Sequence, residues 1–392
     1  MSEEKNVPNI RFKEFTDPWE QRKLGDVSSK VTEKNKSKKY TETLTNSAEY
    51  GIINQYAFFD KSISNSNNIA SYYVVKRDNF VYNPRISTAA PVGPINRNRL
   101  NIIGIMSPLY YVFEATNIDK SYLEYYFKTT KWHNFMKIEG NTGARSDRLA
   151  IKDKVLVKMP IPYPKVKEQK QIGELFESID TTIALHQQKV TQLKELKKLL
   201  MQKIFDQEWR FKGFTDPWEQ RKLGSTYEIT MGQSPNSNNY TKNPNDFILV
   251  QGNADIKNGR VVPRMWTKQI TKLANPGDII LSVRAPVGDV GITNYTVVLG
   301  RGVASISGDD FIYQTLVKMK TFGFWRKFST GSTFESINSK DIKNAVILVP
   351  IANERRNIGT IFKSVDATIA LHQQKVDQLK ELKKYLMQNL FV

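Results

Sequence analysis

The chain has 392 residues, which is enough for two or three domains at about 150 residues each. Hydrophobic residues make up 40% of it and charged residues 25%, a balance typical of a globular protein. The net charge of +19 favours a polyanion, most often nucleic acid, as a partner. Because there is no cysteine and only three histidines, disulfides, thiolate zinc sites and Cys nucleophiles are excluded, and no metal site is expected.

No apolar run approaches the roughly 20 residues that span a bilayer. The first residues are polar and lack the apolar core of a signal peptide. We therefore expect a cytoplasmic protein.

The first predicted segment, residues 1–25, ends in the sequence RFKEFTDPWEQRKLG. A globular region with a mixed pattern follows at residues 26–163. Short apolar runs between turn residues predict strands there, and an aromatic-rich stretch predicts a helix. The strands are expected at residues 72–76, 79–82, 102–105 and 109–113, and the helix at residues 121–137.

The next segment, residues 164–209, predicts a long helix because residues 167–205 contain no proline and carry apolar residues at alternating spacings of four and three. This spacing is a heptad seam, interrupted by a histidine and a lysine. The predicted seam residues of this helix are Ile172, Phe176, Ile179, Ile183, His186, Val190, Leu193 and Leu200.

The second half of the chain has the same organisation. Residues 210–224 form a second lead segment, residues 225–349 a second mixed region and residues 350–392 a second long helix. Strands are expected at residues 247–250, 278–283, 296–299 and 345–349, and a helix at residues 311–328. The predicted seam of the last helix consists of Ile358, Phe362, Val365, Ile369, His372, Val376, Leu379 and Leu386.

The two halves are a tandem repeat. Residues 11–25 match residues 210–224 at 14 of 15 positions, and residues 180–205 match residues 366–391 at 21 of 26. The mixed regions between them diverge, with weak echoes such as Ala-Pro-Val-Gly at residues 90–93 and 285–288. This pattern predicts one mechanical role used twice and two different targets, while neutral duplication is the alternative.

A heptad seam needs a partner helix, and the other copy in the same chain is the natural one. The intervening region lets the chain turn back, so an antiparallel coiled coil with a pseudo-two-fold internal repeat is possible. His186 and His372 would then lie close together and mark the register. A second stripe at Leu175, Leu185, Leu196 and Leu199 is expected to widen the buried face, against the mixed regions or a partner protein.

Polar clusters in predicted loops are the candidates for DNA contact. Arg, Asn and Gln present planar forks that match base edges, and Ser and Thr bind bases or phosphates. Phosphate contact, simple turns and, for Arg85 and Arg284, a structural ion pair are the alternatives. The candidates are Asn83, Arg85, Arg97, Arg99, Asn141, Arg145, Ser146, Arg148, Gln233, Ser234, Gln251, Asn253, Arg284, Arg301 and Thr333.

No catalytic residues are predicted. The chain has no phosphate-binding loop of the GxxxxGK[ST] type and no GxGxxG dinucleotide fingerprint, and its carboxylates are scattered. The Asn83-Pro84-Arg85 sequence lacks the second proline and the aromatic residue of an amino-methyltransferase NPPY site. The pattern favours a binding protein over an enzyme.

The order of lead segment, variable region and helix, given twice, resembles the specificity (S) subunit of type I restriction–modification systems. The resemblance covers nearly the whole chain. It includes SVRAPVGDVGI at residues 282–292, MGQSP at residues 231–235 and a Pro-x-x-x-Glu motif before each helix.

The resemblance implies an α+β fold of two target recognition domains joined by two long helices in an antiparallel coiled coil. Each domain would read one half of a bipartite, asymmetric DNA site, and the coiled coil would set the spacer. It implies two modification (methyltransferase) subunits that carry S-adenosylmethionine and methylate adenine, and restriction subunits that use ATP and Mg. A stand-alone structural or regulatory DNA-binding protein is the alternative.

Overall fold

The computed structural model describes residues 6–56, 69–141, 146–328 and 336–392. The chain divides into two compact units: the first holds Met1–Leu185 and Val376–Val392, and the second holds His186–Lys375. Each unit combines a region of short strands and helices with parts of both long helices. This mixture confirms the predicted α+β class.

The main sheet of the first unit is antiparallel, with the strand order β2-β9-β6-β7. Alternate residues of β6 face two apolar cores, since Phe80 and Tyr82 belong to one and Val81 to the other. The pairs β1-β10, β3-β4 and β5-β8 are also antiparallel. The strands are β1 (Glu20–Lys23), β2 (Ser28–Lys30), β3 (Leu44–Ser47), β4 (Gly51–Asn54), β5 (Tyr73–Val75), β6 (Asn79–Tyr82), β7 (Ile95–Arg97), β8 (Gly104–Met106), β9 (Tyr111–Ala115) and β10 (Pro160–Tyr163).

Helices cover one face of this sheet. The single helix predicted at residues 121–137 is wrong, because the chain breaks between two helices. At the break the indole N–H of Trp132 donates to the carbonyl oxygens of Phe127 and Thr129, at 3.1 and 3.0 Å. The helices are α1 (Lys120–Phe127), α2 (His133–Glu139), α3 (Asp153–Leu156) and the long α4 (Val166–Phe205), which continues into the second unit.

The second unit contains a six-stranded sheet, β12-β22-β19-β20-β16-β15, and a five-stranded sheet, β13-β17-β14-β21-β18. Its separate β11-β23 pair matches β1-β10 of the first unit. The strands are β11 (Glu219–Lys222), β12 (Ile229–Met231), β13 (Tyr240–Thr241), β14 (Phe247–Val250), β15 (Ile256–Lys257), β16 (Arg260–Val261), β17 (Trp266–Thr267), β18 (Leu273–Ala274), β19 (Ile279–Ser282), β20 (Val290–Ile292), β21 (Val297–Leu299), β22 (Val303–Ile306) and β23 (Val346–Val349). The helices are α5 (Leu223–Thr226), α6 (Asp310–Thr321), α7 (Ser339–Lys343) and the long α8 (Ala352–Asn389).

Each repeated lead segment is bound to the first turn of a long helix by a buried ion pair. In the first unit Arg11 donates to both carboxylate oxygens of Glu168, at 2.7 and 2.9 Å. In the second unit Arg210 contacts Glu354 in the same way, at 2.9 and 2.7 Å. Both glutamates are almost completely buried. The glutamate of the Pro-x-x-x-Glu motif is therefore an anchor that fixes where the helix begins.

A glycine about two turns into each long helix allows close packing against the globular region. A Cβ on Gly173 of α4 would lie 2.9 Å from Ser121 Cβ of α1, and a Cβ on Gly359 of α8 would lie 2.9 Å from Asp310 Cβ of α6. The two glycines are equivalent in the repeat. In each unit the backbone of the long helix therefore packs closely against a helix of the globular region, α1 in the first unit and α6 in the second.

In the first unit the beginning of α4 packs against the end of α8. Ile179, Ile183 and Val376 form one apolar cluster. Nearby, the Lys383 ammonium lies 2.5 Å from Asp180 Oδ1, and the Tyr125 hydroxyl of α1 donates to Asp180 Oδ2 at 2.8 Å. The contact of an early α4 residue with a late α8 residue means that the helices are antiparallel here.

The second unit repeats these contacts with the roles exchanged. Lys197, late in α4, donates to both oxygens of Asp366, early in α8, at 2.7 and 2.8 Å. Gln314 of α6 donates to Asp366 Oδ2 at 2.8 Å. The Nδ1 atoms of His186 and His372 lie 2.8 Å apart, so that one ring donates and the other accepts. The polar interruptions of the heptad pattern are therefore satisfied by partners on the opposite helix.

The burial of the two helices follows the predicted seam. Each predicted seam residue is buried or half-buried. Those less than 9% exposed are Ile172, Phe176, Ile179, Ile183, Val190, Ile358, Phe362 and Val376; the half-buried ones are His186, Leu193, Leu200, Val365, Ile369, His372, Leu379 and Leu386.

The second apolar stripe is buried within this chain at one of its four leucines. Leu175 packs against the core, but Leu185 is 61% exposed and Leu196 and Leu199 are each 44% exposed. Packing of these three leucines against the mixed regions is therefore not seen among the described residues, since two paired helices bury one seam. Their contact with a partner protein stays a prediction.

We expect Ile183→Asp to lower the free energy of unfolding by at least about 3 kcal/mol, because it places an unpaired carboxylate in the apolar seam. Leu185→Asp, two residues away on the exposed side, is the matched control and should change it by less than about 0.5 kcal/mol. Urea unfolding of both variants measures the difference. Equal stabilities would contradict the seam assignment.

Candidate nucleic-acid interface

Each unit presents an arginine on a turn that follows a central strand. In the first unit β6 leads to Asn83, whose amide donates to the Asn46 carbonyl oxygen at 2.8 Å and whose Oδ1 accepts from the backbone N–H of Arg85 at 3.0 Å. Asn83 is 7% exposed, so its amide holds the turn in place. Arg85 is exposed. The first of the two candidates supports the backbone, and the second is presented to solvent.

The first turn is closed by a glycine that the backbone requires. Gly93 has φ +80°, and a Cβ at this position would lie 2.1 Å from the Asn83 carbonyl oxygen. The buried Tyr82 hydroxyl donates to the carbonyl oxygens of Val92 and Leu149, at 3.2 and 3.3 Å. Burial raises the pKa of the Tyr82 hydroxyl above its ordinary value. The turn is thus held from both sides.

The second unit has a corresponding turn that is four residues shorter and is held by a different residue. Ser282, at the end of β19, donates from Oγ to the Pro286 carbonyl oxygen and accepts from the Asp289 N–H, both at 2.8 Å. Gly288 has φ +93°, and a Cβ there would meet Trp325 Cδ1 at 2.7 Å. Arg284 is exposed, as Arg85 is. The two arginines therefore correspond both in the sequence repeat and in their position in the fold.

A second polar segment lies beside each turn. In the first unit the backbone of Arg85 pairs with that of Arg148, and the Ile86 N–H donates to the Asp147 carbonyl oxygen at 3.0 Å. In the second unit Arg284 pairs with Ser336. The fold thus brings together two of the predicted clusters of the first unit, at residues 83–85 and 146–148. Ser146 is exposed and Arg148 is half-buried; the buried Nε of Arg148 has no hydrogen-bond partner but lies 3.7 Å from Asp147 Oδ2.

Two candidates cannot be placed. Arg145 and Thr333 lie outside the described residues. Asn141 is exposed at the edge of the same segment, where its backbone pairs with that of Ala150.

In the second unit, three loops meet next to Arg284. The Val283 N–H donates to the Gly302 carbonyl oxygen at 2.9 Å, and the Arg301 N–H donates to Ser234 Oγ at 3.0 Å. A Cβ on Gly302 would lie 2.1 Å from the Gln251 carbonyl oxygen, so this loop also approaches closely. The structure therefore gathers into one group the predicted residues Gln233, Ser234, Gln251, Arg284 and Arg301.

The exposed members of this group carry the chemistry of base recognition. Gln233, Gln251, Arg284 and Arg301 are exposed, and no described carboxylate forms an ion pair with either arginine. Asn253 is half-buried and begins a short helical turn in which Asp255 Oδ2 accepts from the Gln251 N–H at 2.8 Å. Unpaired guanidinium and amide groups on braced loops can donate bidentate hydrogen bonds to base edges.

Two other predicted arginines have a different role in the structure. Arg97 is 10% exposed at its side chain and donates to Asp78 Oδ1 at 2.8 Å and to Ser121 at 3.1 Å. Arg99 binds Glu124 and, at 2.7 Å, Glu177 of α4. These ion pairs connect β7 and the loop after it to the helices, and they occupy the donors that base contact would need.

The sequence analysis did not identify the residues that hold the turns, Tyr82 and Ser282. Ser282 could have been found, because it opens the SVRAPVG sequence and a small hydroxyl there can reach both ends of a tight turn. Tyr82 has no local signal, since its partners are 10 and 67 residues away.

Among the described residues, no group of three or more His, Asp or Glu side chains could hold a metal ion. None of the helices searched in that part of the chain is long and apolar enough to cross a membrane.

Comparison with known proteins gives a consistent result. The family model of the type I restriction modification DNA specificity domain matches the chain twice, at residues 16–195 and 215–381. The putative type I restriction enzyme MjaX specificity subunit of Methanocaldococcus jannaschii is 29% identical over 289 residues, covering 69% of this chain and 67% of the relative. The MjaVIII specificity subunit of the same organism is 22% identical over 313 residues, covering 72% of each.

Solved structures share the fold. The type I restriction–modification S subunit of M. genitalium matches with a TM-score of 0.65 and 13% identity, covering 98% of this chain and 99% of that one. A chain from a study of the assembly and conformational transition of a type I R-M system matches with a TM-score of 0.56 and 21% identity, covering 94% and 96%.

We expect Gly93→Ala to lower the free energy of unfolding by about 3 kcal/mol, since backbone strain and overpacking each cost about 1–3 kcal/mol. Gly213→Ala is the matched control: its φ is +91°, but nothing lies within 4 Å of the added Cβ. That variant should be destabilised by only about 1 kcal/mol, from strain alone. Denaturant unfolding compares the two, and equal destabilisation would show that the turn is not tightly packed.

Proposed function

The chain belongs to the family of type I restriction modification DNA specificity domains, and we propose that its two units read the two halves of a bipartite, asymmetric DNA target. The observation that carries this proposal is the repeated turn, which presents Arg85 in one unit and Arg284 in the other. The same scaffold in both units supports a common mode of DNA contact. Different surroundings, Arg148 beside one turn and Ser336 beside the other, support different base sequences.

We assign base contact to the exposed polar residues around these turns and a supporting role to the buried or paired ones. Arg85 and Ser146 belong to the first surface, and Asn83, Arg97, Arg99 and the half-buried, ion-paired Arg148 support it. Phosphate contacts by the basic protein would make affinity fall steeply with salt. The second surface consists of Gln233, Gln251, Arg284 and Arg301, and the half-buried Ser234 supports it by accepting from the Arg301 N–H.

The two long helices are proposed to set the spacer between the half-sites. They contain 40 and 38 residues, so each is about 60 Å long at 1.5 Å per residue. Symmetric DNA readers place their half-sites roughly 34–36 Å apart, or a multiple of that distance. Helices of this length are sufficient to hold two reading surfaces at such a separation.

The exposed leucines of the long helices support a protein partner in two copies. Leu185 and Leu371 are 61% and 64% exposed, and Leu196 and Leu382 are 44% and 45% exposed. In each pair the two residues are equivalent in the repeat. A surface that occurs twice in one chain suits two copies of one partner. We propose that these partners are the modification (methyltransferase) subunits.

Catalysis is proposed to reside entirely in the partners. The methyltransferase subunits would supply S-adenosylmethionine and methylate adenine, and restriction subunits would use ATP and Mg. The lack of catalytic motifs in this sequence agrees with that division of labour. A complex that acts on chromosomal DNA would work in the cytoplasm.

Methylation mapping tests the assignment of the two half-sites. Genomic DNA is sequenced at single-molecule level from cells that express a candidate methyltransferase subunit with the wild-type chain, with Arg85→Ala or with Arg284→Ala. We expect a bipartite methyladenine motif that requires the chain. Each variant should relax one half only, since a bidentate base contact contributes about 1–3 kcal/mol of discrimination.

Lys158→Ala, at an exposed residue of the first unit that makes none of the contacts described for its turn, is the control and should leave the motif intact. No chain-dependent motif, despite a folded complex, would favour a stand-alone DNA-binding protein. Relaxation of both halves by one variant would contradict the separate reading of half-sites.

Leu196→Glu and Leu382→Glu test the docking of the partners. We expect each variant to bind one methyltransferase copy instead of two and the double variant to bind none, because a buried charge opposes apolar contact. Native mass spectrometry of the purified complexes counts the subunits. Gln188→Glu, an exposed polar position on the same helix, is the control. Full occupancy in the double variant would place the partners elsewhere.

A further inference from the structure

A loop at residues 34–40 of the first unit carries exposed lysines that none of the interactions described above uses. Lys36, Lys38 and Lys39 are exposed, whereas Asn35 between Lys34 and Lys36 is 2% exposed. The sequence of the loop is KNKSKKY. Four cations in six residues repel one another in solution, so something must hold the segment in one conformation.

Asn35 is that anchor. Its backbone N–H donates to the Tyr72 carbonyl oxygen at 3.0 Å, and its carbonyl oxygen accepts from the Lys38 N–H at 2.8 Å. Its side chain binds Tyr40 twice, donating to the carbonyl oxygen at 2.7 Å and accepting from the N–H at 3.1 Å. These four hydrogen bonds fix both ends of the turn that carries the lysines.

The turn also includes a left-handed residue with a long side chain. Lys38 has φ +55°, a conformation that glycine or asparagine adopts with less strain. The hydrogen bonds of Asn35 compensate for this strain. Because glycine or asparagine would adopt this conformation with less strain, the presence of lysine indicates that its charge is the functional property of this position.

The three exposed lysines of the loop have no carboxylate partner among the described residues, although the Lys39 ammonium lies 5.4 Å from the centroid of the Tyr40 ring. Glu33 binds Lys76 at 2.7 Å, and Glu42 accepts from the Asn54 amide at 2.5 Å. Lys34 lies over the Tyr73 ring, 2.9 Å from its centroid. Within the described ranges no carboxylate forms an ion pair with Lys36, Lys38 or Lys39. Glu33 is thus neutralised by Lys76, and Glu42 is directed to a neutral amide and not to the lysines of the loop.

We propose that this loop, Lys36 to Lys39, binds the phosphate backbone of the DNA duplex that the first unit contacts. The inference rests on the proposed function and adds an interaction that is independent of base sequence. Ammonium groups are point charges suited to phosphate, and the loop exposes no guanidinium or amide fork that would read a base.

The loop has no counterpart in the second unit. The segment at the same distance from the second lead segment, residues 233–239, reads QSPNSNN and contains no lysine or arginine. The proposed contact at this position is therefore particular to the first unit.

The salt dependence of DNA binding tests the proposal. The full chain, in complex with its methyltransferase subunits, is titrated with its mapped target duplex and with an unrelated duplex at several salt concentrations. For the triple variant K36Q/K38Q/K39Q we expect the slope of log K against log salt to fall by about 0.9 for each phosphate that is no longer neutralised, up to about 2.7. Affinity for both duplexes should fall by the same factor.

Two matched variants complete the experiment. K36R/K38R/K39R keeps the charges and should keep the wild-type slope. K152Q/K154Q/K158Q removes the same charge from three exposed lysines of the same unit and should leave the slope nearly unchanged. An unchanged slope in the loop variant, or an equal change in the control, would overturn the inference. A wild-type complex that does not prefer its target duplex would instead overturn the proposed function.

Discussion

The buried pairing of an arginine with a glutamate at the start of each long helix is the constraint on which the rest of the structure depends. An ionised carboxylate such as Glu168 or Glu354 is costly to bury without a partner, and a bidentate guanidinium satisfies both of its oxygens. The pair therefore specifies one arrangement of lead segment and helix. The hydrogen bonds to the glutamate also raise the pKa of Arg11 and of Arg210.

The contacts between the two long helices also occur twice, with the two helices exchanging roles. A lysine late in one helix pairs with an aspartate early in the other, as Lys197 does with Asp366 and Lys383 with Asp180. Each aspartate also accepts a hydrogen bond from a helix of its own globular region, from Tyr125 or from a glutamine. In each unit a single aspartate thus contacts both the partner long helix and a helix of the globular region. The arrangement explains why the repeated blocks retain polar residues at positions that a heptad pattern would fill with leucine.

The sequence was sufficient for the elements whose signals are local. The spacing of Ile179, Ile183 and their neighbours predicted the helices, and short apolar runs predicted β6 and β14 at the observed bounds. It failed where the answer depends on distant partners. Arg99 forms an ion pair with Glu177, which lies 78 positions away in the sequence. The exposure of Leu185 depends on how many helices pack together at that point. Periodicity identifies an apolar stripe, but it does not reveal whether a third element covers it.

The candidate site shows the same division between scaffold and surface. Each turn is fixed by a buried residue that can differ, an asparagine in one unit and a serine in the other, because hydrogen bonds to backbone groups are all that the turn requires. What both units retain is the exposed arginine and the glycine whose backbone a side chain would obstruct. A turn held in this way by its own backbone allows the side chains around it to vary without changing where the arginine is presented. Two reading surfaces can therefore diverge in sequence while one shared framework continues to position both.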